Sequence, residues 1–465
     1  MSELPYFKPY ALSPLDHLLM PMHAHWFLSF HVEKPSSGAT IISHGISSLV
    51  SKRPYLAGTI TKPTNQAKNS KSNVLEIHPP TAAYLHQFPM LITRYHPNKT
   101  ISLISSAEAV FNETFMPGDP RIPTPYPTFA LRFQANVMED GIILSVCFHH
   151  KFLDAYGLIL VMESLARCCR YSNQAVDPPL ICPVSDALSR AQITATVTSP
   201  TRDLGEIYGT SKWHYDPGVK AEESINRKYI LRAETITFLK NACNALLPDF
   251  VTDIQSSKTC NVQSAQDILS GDDIVSALLW LCCTRARFEL SSTSQKPSIL
   301  LVPRSFSCTR PVETRRILHL TSLTNHIGNC IAVAKAFCCP TDMHNPTPPP
   351  TAVKTLKEPD PISKRNLLIL TNLALRIHKA RKSVDREHVQ DVINNAVGCQ
   401  DWDGFAVLPA DVAITTLRRV DVYGLNFGSV VGRVSGLEVL ENRLDGYCYI
   451  LPGRWGDGVG LLDSA

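Results

Sequence analysis

Between residues 142 and 165 the hydrophobic positions change period, from two to about 3.6, across a short polar turn. Ile142, Leu144, Val146 and Phe148 alternate with Ile143, Ser145 and Cys147, the pattern of a strand whose successive side chains point to opposite faces. Leu158, Val161, Met162 and Leu165 then recur on one face of a helix. The stretch 128–137 alternates as well: Phe129, Leu131, Phe133, Ala135 and Val137 face one way, Thr128, Arg132, Gln134 and Asn136 the other. Glu139-Asp140-Gly141 supplies a tight turn between the two runs. The pattern predicts a hairpin whose second arm ends in a turn and feeds a helix.

The same reading extends along the chain. A helix is predicted over 41–52, stopped by Pro54, with Gly58 letting the chain turn into a strand. The polar stretch 62–80, rich in Pro, Asn and Lys, reads as a loop. Pro178, Pro179 and Pro183 lead into a Ser/Thr-rich stretch, 189–210, which is the best candidate for a crossover between domains. Beyond it come a strand at 228–231 and a helix over 235–247. A strong helix follows at 271–287, with Asp272 and Asp273 near its start and Arg285 and Arg287 at its end, the charge order that suits a helix dipole. A buried strand over 298–304 ends in Arg304. The segment 340–363, which includes three consecutive prolines, reads as a surface loop, and helices are predicted over 366–382 and 386–397. At 465 residues the chain exceeds one core. Two domains are expected, 1–185 and 221–465, with 186–220 as the crossover.

Composition narrows the function. With 44% hydrophobic and 18% charged residues the balance is that of a globular chain. A net charge of +4 favours a phosphate-bearing ligand and falls short of a nucleic-acid footprint. Three of the cysteine pairs, Cys168-Cys169, Cys282-Cys283 and Cys338-Cys339, are adjacent residues, and no C-x-x-C with a histidine set is present, so no metal is expected. The first residues lack a basic and then apolar leader, and no apolar run approaches the ~20 residues of a membrane span. The expectation is a cytoplasmic monomer with reduced thiols, without a membrane or nucleic-acid partner.

The candidate chemistry lies in the turn itself. His150 and Asp154 stand at H-x-x-x-D spacing, with His149 before the pair and Gly157 three residues after it. Neutral imidazole is the side chain that accepts a proton near pH 7 without a large shift. With no Ser or Cys placed beside it as a nucleophile, His150 points to general-base catalysis on a bound substrate. Asp154 suits a different task, holding the loop by pairing with a cation. The alternative is that His150 ends a strand and Asp154 caps the helix, with no chemistry at either. His149 faces away from His150 if the strand continues, and reads as structural.

H-x-x-x-D resembles the active-site motif of the BAHD acyltransferases and of the fungal trichothecene 3-O-acetyltransferase-like enzymes. The doubled histidine is similar to that of condensation domains and the wider chloramphenicol-acetyltransferase-like group. Other blocks match in order: Leu-Ser-Pro-Leu-Asp at 12–16, Pro-Tyr-Leu-Ala-Gly at 54–58, the helix that opens with Asp273 and carries Ala277, Trp280, Ala286 and Arg287, the Arg304 strand end, and Asn325-His326-Ile327-Gly328-Asn329. The final block is Ile414-Thr415-Thr416-Leu417, then Asn426-Phe427-Gly428, then Ile450-Leu451-Pro452. Leu417 stands where the family has tryptophan, Asn426 where it has aspartate, and His326 where it has an aromatic. The resemblance runs from Leu12 to Pro452.

It implies an α/β fold of two chloramphenicol-acetyltransferase-like domains, each a mixed sheet flanked by helices, with an active-site channel between them. It implies acyl transfer from acyl-CoA, most simply acetyl-CoA as co-substrate with no tightly bound cofactor, to a hydroxylated small-molecule acceptor of specialised metabolism. His150 is the implied base, Asp154 its structural companion paired with Arg304, and Thr415 a candidate oxyanion donor near Leu417. N-acyl transfer, a carrier-bound thioester as donor, and a catalytically silent binding protein remain open alternatives.

Overall fold

The computed structural model describes residues 4–63, 71–104, 113–118, 124–171, 183–195, 199–210, 226–252, 268–293, 305–318, 325–344, 362–440, 445–453 and 459–464. The expected strand 298–304, with Arg304, lies outside the described residues, as does most of the loop 340–363.

Two mixed sheets organise the chain. The first has five strands in the order Gly436–Val439, His23–His31, Gly141–His149, Leu131–Val137, Leu91–Tyr95. Its neighbours are antiparallel except for the last pair, which is parallel. The second has six, in the order Asn226–Leu231, Val459–Ser464, Tyr447–Ile450, Val412–Thr416, Phe306–Glu313, Ile331–Cys338, with the central Val412–Thr416 strand parallel to both neighbours. Helices Pro35–Lys52 and Ala155–Arg170 bury their apolar faces against the first sheet. Helices Ala233–Thr252, Gly271–Thr293 and Lys364–Lys382 share a core with the second. Removing these aliphatic faces from water is the main favourable term holding each layer.

The predicted hairpin is present, with Val137 opposite Ile142 and the Met138 N–H donating to the Gly141 carbonyl at 2.9 Å. Its first arm differs from expectation. It breaks at Ala130, because Thr128–Phe129 pairs with Thr59–Ile60 in a separate four-stranded sheet. The stretch read as a loop at 62–80 likewise contributes a short strand, Glu76–His78, whose Ile77 is buried in the core. The predicted amphipathic face holds: Leu158, Val161, Met162 and Leu165 are all fully buried.

The two halves of the sequence are interleaved in space. The crossover expected at 186–220 begins inside helix Pro183–Ala195, and it includes the strand Tyr208–Thr210, which pairs with Phe405–Val407. The last part of the chain returns to the first sheet. Gly436–Val439 adds an edge strand beside His23–His31, and Leu417, Val422, Leu425, Phe427, Val431 and Val434 pack in the first sheet's core.

Candidate active site

His149 is the last residue of its strand and His150 the first of the turn. His149 is fully buried, its ring edge-on to His23 at 5.4 Å, and its Nδ1 accepts the Lys151 N–H at 3.2 Å. Burial, with His23 next, holds its pKa well below the ordinary imidazole value. The ring is neutral and fully enclosed, the setting expected of a packing residue.

His150 is half-buried. Its backbone is pinned on both sides, the N–H donating to the Met22 carbonyl at 2.8 Å and the carbonyl accepting from Asn329 Nδ2 at 2.9 Å. Its Nδ1 is enclosed, with no side-chain hydrogen-bond partner among the described residues. Burial lowers its pKa below the ordinary value, so the ring is the free base at neutral pH. The adjacent Lys151 ammonium turns away, buried, onto Asp403 at 3.1 Å.

Asp154 caps helix Ala155–Arg170, accepting the Gly157 N–H at 2.7 Å. Its two oxygens also meet the guanidinium of Arg315, Nη1 to Oδ2 and Nη2 to Oδ1, each at 3.0 Å, and Oδ2 accepts the Cys330 N–H at 3.0 Å. Among the described residues the cation that meets Asp154 is Arg315, whereas the expected Arg304 lies outside them. The physical reason is approach: the turn after Phe306–Glu313 brings Arg315 under the helix start, and the guanidinium also donates to the His326 and Gly328 carbonyls. Burial alone would depress the guanidinium's pKa, and the Asp154 charge more than reverses that. Gly157 has a steric role, since a Cβ there would lie 1.8 Å from the Ile327 carbonyl oxygen.

Thr415 sits on the central strand of the second sheet and its hydroxyl shares a hydrogen bond with Tyr447 at 3.1 Å. Leu417, two residues on, is buried in the first sheet's core, its N–H donating to the Ile450 carbonyl at 2.8 Å. Asn426 keeps its turn by accepting the Gly428 N–H on Oδ1 at 3.0 Å.

Sequence reasoning assigned no chemistry to Leu-Ser-Pro-Leu-Asp, yet Asp16 lies directly beneath the turn. It closes a capping box with Ser13, forms an ion pair with Arg190, and accepts from Asn329 at 2.9 and 3.0 Å. The capping-box spacing was the available signal. His326 is buried with its Nδ1 3.0 Å from Asp186 Oδ1, filling the space an aromatic would occupy. Among the described residues no group of three or more His, Cys, Asp or Glu could hold a metal, and no helix is long and apolar enough to cross a membrane.

His150 thus stands on a turn anchored on one side by Met22 and on the other by Asn329, which leads into the Ile331–Cys338 strand of the second sheet. Comparisons with known proteins place the chain. Residues 23–169 match the trichothecene 3-O-acetyltransferase-like N-terminal domain, and residues 98–338, just over half of the chain, match the transferase family. The chain belongs to the transferase family and is an acyltransferase. It is 30% identical to the O-acetyltransferase pyr7 of Aspergillus fumigatus, over 96% of this chain and 86% of that one. It is 29% identical to the communesin N16 acyltransferase cnsK of Penicillium expansum, over 96% and 90%. Among solved structures, Fusarium TRI101 (F. sporotrichioides) complexed with coenzyme A and T-2 superposes with a TM-score of 0.73, at 16% identity, covering 98% of this chain and 95% of that one. That last likeness is one of fold.

Proposed function

We propose that the chain is a CoA-dependent O-acetyltransferase that moves the acetyl group of acetyl-CoA to a hydroxyl of a fungal-type secondary metabolite, acting as a cytoplasmic monomer. The observation that carries this reading is His150: a half-buried free base on a turn that Asn329 ties to the segment leading into the second sheet, with no Ser or Cys side chain hydrogen-bonded to its ring among the described residues. His150 removes the acceptor proton as the oxygen attacks the thioester carbonyl. The tetrahedral intermediate collapses, the C–S bond breaks, and the imidazolium returns the proton to the departing CoA thiolate. No acyl-enzyme forms. General-base action of this kind supplies ~10²–10⁴ in rate, and positioning and oxyanion donors, with Thr415 as candidate, supply the rest. Asp154 takes no part in the proton transfer, because Arg315, Gly157 and Cys330 occupy its oxygens.

N-acylation is the second reading, and one observation favours it: the relative cnsK, nearly as similar as pyr7, is named an N16 acyltransferase. The same base serves an amine acceptor. Mass spectrometry decides between them. The purified chain, incubated with isotopically labelled acetyl-CoA and matched panels of hydroxylated and amine-bearing terpenoid, polyketide and alkaloid acceptors, is expected to yield a labelled ester. A labelled amide alone would establish the second reading, and no labelled product from either panel would count against both.

A further inference from the structure

Two carbonyls of the catalytic turn, those of His150 and Phe152, are held by a buried network that the reaction scheme does not use. Asn329 Nδ2 donates to the His150 carbonyl at 2.9 Å and to Asp16 Oδ1 at 3.0 Å, and the Asn329 N–H donates to that same oxygen at 2.9 Å. Asp16 Oδ2 accepts from the Ser13 N–H and hydroxyl, each at 2.7 Å, and from Arg190 Nη1. Arg190 Nη2 then donates to the Phe152 carbonyl at 3.1 Å, while its Nε donates to Asp186 Oδ2 at 3.0 Å. Asp16 and Asn329 are both 0% exposed.

Burying a carboxylate under a guanidinium gains little stability over an apolar replacement, so its return is sought in geometry. Here the geometry concerns one ring. No side chain among the described residues hydrogen-bonds His150 Nδ1; what acts on the ring is backbone, that of His150 itself and of Leu153. Its direction is inherited from the backbone at residue 150, which Met22 pins at the N–H and Asn329 at the carbonyl. Releasing the carbonyl lets the 150–151 peptide plane rotate and swings the ring. A displacement of ~1 Å at a reacting group costs on the order of 10²-fold in rate.

We infer that Asn329 and Asp16 are positioning residues for His150: Asp16 fixes the Asn329 amide, and the amide fixes the carbonyl from which the imidazole direction follows. The inference rests on His150 being the base. Its test is steady-state kinetics on the full chain, with acetyl-CoA and the acceptor found by the isotope experiment, following thiol release at a temperature where circular dichroism shows each variant folded. Asn329→Ala is expected to lower kcat by ~10–100-fold with KM for both substrates within about 2-fold. In a His150→Ala background the same substitution should change the residual kcat no further, because Asn329 acts through the ring. Ile369→Val, a buried truncation in Lys364–Lys382, serves as the control: it lowers Tm and leaves kcat alone. Asn329→Ser, which keeps a shorter donor, should show the same split with a smaller loss.

A kcat for folded Asn329→Ala within about 2-fold of wild type overturns the inference. So does a loss that adds fully to that of His150→Ala, or the failure of both Asn329 variants to fold, which would make the residue a folding element. An active His150→Ala instead removes the base reading itself, a result that Asn329 variants cannot mimic.

Discussion

Asp154 and Arg315 meet fork to fork, through two parallel hydrogen bonds of 3.0 Å, with side chains only 2% and 4% exposed. The pair joins the start of helix Ala155–Arg170 to residues that follow the Phe306–Glu313 strand, 161 positions away in the chain. It gives the two parts of H-x-x-x-D different settings: the aspartate's oxygens are taken up by the frame, and the histidine's ring has no such ion pair.

Removing one member leaves a buried charge uncompensated, at about 3–5 kcal/mol. Asp154→Ala and Arg315→Ala should each lower stability by that order, and the double variant should lose less than the sum. Asp154→Asn keeps an acceptor for the Gly157 N–H and should lose part of the effect. A double-mutant cycle on denaturant unfolding measures the coupling. Strict additivity, or coupling of Asp154 to Arg304 in its place, would refute the pairing.

His150→Ala should lower kcat by at least ~10²-fold with the fold intact, and His149→Ala should be much milder in kcat. The pH profile carries a sign. Burial lowers the His150 pKa, and the working form is the neutral ring, so kcat/KM should hold constant below about pH 6.5 before its acid limb begins. An acid limb centred above that value would contradict a desolvated base.

Gly157→Ala is expected to destabilise by at least about 1–3 kcal/mol, because the new methyl has no room beside the Ile327 carbonyl. The segment that must give way leads straight to Asn329, so activity should fall with Tm. Thermal unfolding and kcat measured together check both. A variant as stable and active as wild type would show that the two segments do not approach closely.

His17 makes stability depend on pH. Its Nδ1 lies 2.9 Å from the Ser13 carbonyl and its Nε2 accepts the Leu75 N–H at 2.9 Å, an arrangement only the neutral ring satisfies. Burial, then Lys151, lowers its pKa to about 4. The unfolded chain binds this proton near pH 6.5 and the folded chain only near 4. Stability is therefore full above the first value and is lost as pH falls toward the second, by on the order of 3 kcal/mol. Urea unfolding between pH 7 and 4.5 should show that decline, with a shallower slope for His17→Gln. Equal slopes would remove His17 as the source.

Much of the site's frame was legible in the sequence, because periodicity and local hydrogen bonding act over a few residues. The change from period two to 3.6 located the hairpin, turn and helix around His150. Asp154 stood at a helix start, where a carboxylate caps, and Asn426 stood where a side-chain oxygen can hold a turn. The order of blocks from Leu12 to Pro452 pointed to the family. Tertiary structure decided whatever depends on segments distant in the chain. The sequence offers several arginines in this region, among them Arg304, Arg310, Arg315 and Arg316, and only the path of the chain shows Arg315 against Asp154. Asp16, Arg190 and Asn329 come from three separate segments, and no spacing in the sequence foretells their convergence under the turn. The return of Gly436–Val439 to the first sheet is of the same kind: an edge strand is claimed by whichever open edge it can reach, and that edge exists only once the rest of the sheet has formed.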